Sequence, residues 1–258
     1  MPDRRRKIQG AFALCAAIAL AAGQAAAAGP RIKTPAVGLS YESFSRTITW
    51  KGDTDSSKIR ANLFSAKAEF GFAKGGIVSL SAGLVLTDFE ALTFTSLPIS
   101  LQYDGAPLKG LALGAEILAP FLKFSDFEIS GTGRFVYSFG VSKTWPLEDF
   151  AVDGEAKGRS SWMEAAAGPR VSYLFFGRFV PYLEVCARWL RADFEMTETL
   201  GDLSGDEMKR LPGDVSFSVA LGADANVSER LSIRAKAGIL PYAGGVDGLV
   251  SIGLFYGF

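Results

Sequence analysis

The sequence predicts an all-β protein: an antiparallel up-and-down transmembrane β-barrel of about ten strands behind a cleaved signal peptide, with eight or twelve strands also compatible. Three observations carry this. Hydrophobic residues make up 48% of the chain, with 29 Gly and 20 Phe, yet after the N-terminus no stretch reaches the ~18 unbroken apolar residues of a spanning helix. Segment after segment alternates apolar and small or polar residues with a period of two, the signature of strands. Tight and long connections also alternate along the chain, as a meander with all its short turns at one end requires.

The first element is a targeting segment. Arg4, Arg5, Arg6 and Lys7 form a basic region, Ala11 to Ala22 an apolar core, and the run GQAAAAG offers small residues for cleavage near Ala28. Residues 1–28 are therefore expected as a signal peptide, 29–35 as a short leader, and 36–258 as the barrel. The expected mature chain carries 23 basic and 26 acidic residues, a net charge of −3. That balance excludes a nucleic-acid partner. Cys15 falls in the signal, which leaves Cys186 alone and without a disulfide partner.

Ten extended segments follow, at 36–50, 58–73, 76–88, 109–121, 127–145, 161–176, 179–194, 214–225, 230–241 and 247–258. The first shows alternation with an expected slip of register between Tyr41 and Phe44. The second and third are joined by AKGG, the sixth and seventh by FGR, and the eighth and ninth by NVSER, all tight. Long connections rich in Asp, Glu, Gly and Lys are expected after the third, fifth and seventh. The last connection, around AGGV, is shorter than the pattern asks. The final strand, LVSIGLFYGF, keeps strict alternation to its end, with Val250, Ile252, Leu254, Tyr256 and Phe258 on one face.

Face chemistry points to a membrane. Val215, Phe217, Val219, Leu221 and Ala223 oppose Ser216, Ser218, Ala220, Gly222 and Asp224, and Pro181, Leu183, Val185, Ala187 and Trp189 oppose Tyr182, Glu184, Cys186 and Arg188. Small residues with a few charges suit a cramped polar lumen, whereas a face bathed in water carries long charged side chains throughout. Trp50, Trp145, Trp162 and Trp189 lie near the long-loop ends, and Phe72, Phe175, Phe179, Tyr256 and Phe258 near the tight-turn ends. These are expected as two interfacial aromatic girdles. Trp162 breaks the outward parity of its strand, which calls for a bulge or a rim position.

Signal peptide, alternating segments, uneven loops and a terminal FYGF together resemble the small outer-membrane β-barrel proteins of Gram-negative bacteria. The resemblance implies an outer-membrane location, a lipid environment, closure of the last strand on the first, and recognition of Tyr256 and Phe258 by the barrel-assembly machinery. Barrel enzymes of that superfamily use a histidine as base or water activator. This chain has none, which excludes Ser-His and Asp-His mechanisms and His-ligated metals. The expected function is a non-enzymatic barrel with a narrow or salt-bridge-plugged lumen and a structural or surface-loop binding role, without a cofactor. The alternatives are a narrow channel, a histidine-free enzyme and an exported soluble binding barrel.

By parity Lys67, Glu69, Glu116, Arg134, Glu164, Arg170, Glu184, Arg188, Asp224, Arg234 and Lys236 point inward, five acids against six bases. Their near balance reads as a plug of ion pairs, since an unpaired buried charge costs several kcal/mol. Arg188→Ala would then open the lumen. The acidic stretch 195–213, with Glu195, Glu198, Asp202, Asp206 and Glu207, lacks calcium-loop spacing and reads as a solvated loop. Cys186, with no histidine to activate it, reads as a lumen filler.

Overall fold

A computed structural model describes residues 34–53, 55–72, 75–98, 100–103, 107–147, 153–242 and 244–258. The signal peptide and the start of the leader lie outside the described residues. Among the described residues no helix is long and apolar enough to cross a membrane.

The chain is a ring of antiparallel strands. In order they are β1 (Ala36–Thr49), β2 (Ser56–Phe72), β3 (Gly76–Glu90), β4 (Leu92–Phe94), β5 (Leu101–Tyr103), β6 (Leu108–Phe124), β7 (Phe127–Gly140), β8 (Lys143–Pro146), β9 (Gly154–Tyr173), β10 (Phe179–Leu200), β11 (Leu203–Asn226), β12 (Leu231–Tyr242) and β13 (Gly245–Gly257). The sheet runs β1-β2-β3-β6-β7-β9-β10-β11-β12-β13 and closes because β13 pairs with β1. Ten strands thus form the wall. β4 and β5 pair only with each other, and β8 lies against the outer end of β9.

Two departures from the sequence reading concern the first strand and the long connections. β1 pairs without interruption on both sides, so no register slip occurs at Tyr41 and Phe44. Phe44 points inward and Tyr41 outward; two aromatics three residues apart must fall on opposite faces of a strand. The stretch 195–213 is no solvated loop either. β10 and β11 continue as a hairpin to Leu200 and Leu203, and Glu198 and Met196 are buried inside it. Near its base, Pro212 and Gly213 oppose Arg191 alone, a bulge. Gly213 has φ +137°, and a Cβ there would stand 2.4 Å from Trp189 Nε1, so glycine suits both backbone and space.

Face chemistry inverts partway up the strands while parity is kept. On the lower part of β10, Leu183, Val185 and Trp189 point outward and Glu184 and Arg188 inward. Above them Arg191, Asp193 and Glu195 point outward, and Ala192, Phe194 and Met196 are buried inside. β9 repeats this, with Met163 and Val171 outward below and Glu155, Lys157 and Arg159 outward above. From Phe179 to Trp189, a strand tilted about 40° covers a height of ~25 Å, the hydrocarbon thickness a barrel spans. Below the inversion the wall faces lipid. Above it the strands form a water-facing cap with an apolar interior.

Candidate functional site

The lower half of the interior is built from charge. Parity places one or two ionisable side chains on each of eight wall strands, and the narrow lumen brings them together. Lys67 Nζ lies 2.9 Å from Glu42 and 2.8 Å from Glu116. Arg134 reaches Glu42, Glu116 at 3.4 Å and Glu164 at 3.3 Å. Arg188 joins through Glu164, to which its Nε donates at 3.1 Å. One connected network therefore runs through β1, β2, β6, β7, β9 and β10.

Three further pairs complete the arrangement. Arg234 on β12 meets Glu69 on β2 with two parallel bonds of 2.6 and 2.8 Å, a fork geometry that adds direction to charge. Glu69 also accepts from Ser79 Oγ at 3.1 Å. Arg170 pairs with Asp224 at 2.5 Å and lies over the Tyr182 ring, and Arg234 lies over Phe255. Lys236 Nζ meets Glu184 at 3.0 Å. Each of the eleven inward charges read from the sequence has at least one ion-pair partner. Glu184 and Arg188, four residues apart on one strand, pair with different strands, β12 and β9.

Sequence reading missed Glu42, which bridges Lys67 and Arg134. The supposed slip in β1 hid it. Kept in step, Ser40, Glu42, Phe44, Arg46 and Ile48 form one continuous inward row. Arg46, 4% exposed, was missed for the same reason and donates to the Asp214 carbonyl and carboxylate at 2.9 and 2.6 Å.

The network surrounds a chamber of about 140 Å³, lined by charged side chains with Ser40, Tyr182 and Cys186 among them. Cys186 is buried, 3.5 Å from Thr132 Oγ1. Above the chamber the interior turns apolar. Phe44 packs edge-on against Trp162, their ring centroids 5.3 Å apart, and Leu63, Val85, Val136 and Leu190 fill the same level. Trp162 therefore keeps the inward parity of β9 with no bulge, and its Nε1 donates to Thr87 Oγ1 at 3.0 Å.

Two of the four expected interfacial tryptophans are thus interior residues: Trp162 is 2% exposed and Trp50 1%. Burial of their large rings fills the narrow cap more favourably than an interface position would. Trp145 packs partly buried against the same core. Trp189 keeps the outward parity of its strand. At the tight-turn end Phe72, Phe175, Phe179, Tyr256 and Phe258 are all exposed.

Highest in the barrel, the β4–β5 hairpin folds into the mouth. Leu92, Phe94, Leu97 and Tyr103 are buried there against Phe89, Trp145 and Phe194. Burial, and after it the nearby Asp88 carboxylate, pushes the Tyr103 phenol up to about 12. Of the acidic residues of 195–213, Glu198 and Glu207 point inward while Glu195 and Asp206 point outward, so they do not converge. Among the described residues no group of His, Cys, Asp and Glu is arranged to hold a metal.

No protein family matches the chain by sequence, and no curated protein does. Several solved structures are similar to it. The translocator domain of the autotransporter NalP from Neisseria meningitidis is 11% identical, with TM-score 0.51, covering 98% of this chain and 96% of that one. The transport unit of the autotransporter AIDA-I from Escherichia coli is 11% identical over 94% of this chain and 97% of that one, with TM-score 0.47. The outer membrane protease OmpT from Escherichia coli is 10% identical over 92% and 100%, with TM-score 0.46. The likeness to the NalP translocator domain shows the fold, a closed antiparallel β-barrel.

Proposed function

We propose that this chain is a sealed, non-enzymatic outer-membrane barrel that holds a folded β cap at the cell surface, in a structural or binding role. One observation carries the reading: the ion-paired chamber is roofed by packed apolar side chains rather than by a polar passage. An ion leaving the chamber outward would meet Phe44, Trp162 and the packed apolar side chains of the cap interior, where the buried charges, Arg46 and Lys209 among them, are already held by Asp214 and by Asp53 and Glu207. The charges themselves are engaged with one another, which leaves little net field to attract a solute.

The same pairing argues against catalysis. The chain lacks histidine, and every carboxylate of the lower chamber lies against a cation, so no pair of carboxyl groups is poised as free acid and base. The last strand supports the assembly reading. Tyr256 and Phe258 point outward at the tight-turn rim, and β13 forms the closing seam with β1. In this reading the chain is exported on a signal peptide cleaved near Ala28, and the barrel-assembly machinery recognises its C-terminal strand.

Single-molecule recording in planar bilayers tests the seal. The purified barrel is expected to give no steady conductance, and Arg188→Ala to give none either, because the closure lies above that residue. Large, stable wild-type currents would refute the sealed barrel and make the chain a channel.

A further inference from the structure

We propose that the free edge of β11, from Ser204 to Met208, is a docking site for an extended peptide segment of a partner protein, one with basic side chains at alternate positions that adds a strand to the cap. The inference rests on the reading of the cap as a folded element at the cell surface, and it names the class of partner.

In the cap the wall is no longer closed. The pairing of β12 with β11 reaches only to Val219, opposite Ile239, whereas β11 continues to Leu203 with β10 as its ladder partner. The upper parts of β9, β10 and β11, with β8 alongside, therefore make a four-stranded sheet with two edges.

The two edges are built differently. On β8, Leu147 N–H bonds to the Gly154 carbonyl on the β9 side at 2.9 Å, so the neighbouring Pro146 faces the free side, where it offers no N–H. A strand of four residues ending in proline is a guarded edge. The β11 edge lacks both devices between Ser204 and Met208. The Arg210 carbonyl accepts from Lys51 N–H at 3.0 Å, which turns Arg210 away from β10, and the unbroken register from Leu211 to Leu203 carries Met208, Asp206 and Ser204 to the same side. All three are exposed, and among the described residues their N–H and C=O groups have no partner there. Pro212 stands in the bulge at the foot of this stretch, so the guard sits below and the edge above it is open.

Charge selects the occupant. The side chains of Ser204, Asp206 and Met208 point to the outer face, where Asp206 lies opposite Thr197 and Met208 opposite Glu195. Among the described residues Asp206 and Glu195 carry no ion pair, while Arg210, the cation on the same strand and face, is held by Asp193 at 2.9 Å. Lys157 and Arg159 stand two strands back on β9, and Lys51 marks the foot of the edge. On the inner face Leu203 is 61% exposed, so an apolar residue beside it gains burial. A strand with Lys or Arg on its outer face and apolar residues on its inner face complements both.

The test uses the whole barrel in nanodiscs of zwitterionic lipid, with the fluorescein-labelled peptide Thr-Lys-Val-Lys-Val-Lys-Thr as probe and fluorescence anisotropy as readout. Laid antiparallel along β11, its lysines oppose Met208, Asp206 and Ser204 and turn their backbone groups to the edge, while the valine N–H groups point away. Saturable binding is expected. Methylating the lysine backbone nitrogens should weaken it about tenfold or more, whereas methylating the valine nitrogens should change it less than about twofold. Asp206→Pro, which removes an edge N–H and leaves the ladder to β10 intact, should weaken binding about tenfold, and Asp206→Asn about threefold. Heat-modifiable migration in gels confirms that each variant is folded. Absence of saturable binding to the wild type overturns the proposal. Equal binding of the lysine-methylated peptide overturns it too, because attraction between charges would then suffice without a ladder, and so does wild-type affinity in Asp206→Pro. A conducting wild type that binds the peptide with this methylation pattern would instead remove the sealed-barrel reading and leave the edge site standing.

Discussion

The Lys236–Glu184 pair offers the sharpest test of how the lower chamber is held together. Nζ and Oε1 are 3.0 Å apart, with side chains 24% and 14% exposed, and among the described residues neither has a second ion-pair partner. Breaking a buried pair costs about 3–5 kcal/mol, because the survivor is left charged in a poor solvent. This survivor borders a chamber that water can enter, so Lys236→Met or Glu184→Met should each cost about 2–3 kcal/mol. Replacing both removes the stranded charge, and the double variant should lose no more than about 1 kcal/mol. The expected coupling is therefore about 3 kcal/mol or more, large on the scale of double-mutant cycles. Reversible urea unfolding in lipid vesicles, followed by tryptophan fluorescence, measures all four corners. Additive losses, with the double variant as weak as the sum of the singles, would refute the reasoning: each charge would then be solvated on its own.

The remaining predictions address the other levels of the barrel. Val219 faces lipid between Val185 and Ile239, and Ser218 is buried in the lumen; Val219→Arg should cost ~2–4 kcal/mol in vesicle unfolding, more than Ser218→Arg, and the reverse order would turn the faces inside out. Tyr103 ionises at about 12 in the folded cap against 10.0 ordinarily, so its contribution is intact below pH 10 and is lost as pH rises towards 12. Tyr103→Phe should abolish that alkaline loosening, read by near-ultraviolet circular dichroism; an identical profile would leave Tyr103 without a part in anchoring the β4–β5 hairpin. Phe258→Asp should lower the yield of assembled barrel in outer-membrane fractions, and an unchanged yield would leave the terminal aromatic without a role in assembly.

Much of this architecture is readable from period-two alternation, because a lipid-facing strand declares both of its faces. The eleven inward charges followed from parity alone, and their partners could not, since Arg234 meets Glu69 across β13 and β1 rather than on an adjacent strand. Glu42 and Arg46 were lost to one supposed slip: an aromatic at Phe44 was assumed to seek lipid, while in fact it seeks Trp162. The cap was the least legible part. Arg191, Asp193 and Glu195 alternate with Ala192, Phe194 and Met196 as an ordinary soluble strand does, so a reading tuned to lipid outside and charge inside ended β10 at Phe194 and saw a solvated loop beyond. The same mistake set Trp50 and Trp162 at an interface. Nothing in a single strand marks where its solvent changes; only the heights of neighbouring strands, which are set by register, do so.

That change of solvent along a continuous strand also fixes how deep the molecule sits. Raising the barrel by one pair of residues would bring Trp189 and Val215 towards water, a modest loss. Lowering it by the same step would pull Arg191 and Arg159 towards hydrocarbon, where the cost of a cation climbs from about 0–1 kcal/mol at the interface to ~2–4 kcal/mol at the midplane. The restoring force is therefore steeper against sinking than against rising, and the inversion behaves as a flange resting on the membrane surface. A thicker bilayer would have to thin around this protein, since the flange does not yield.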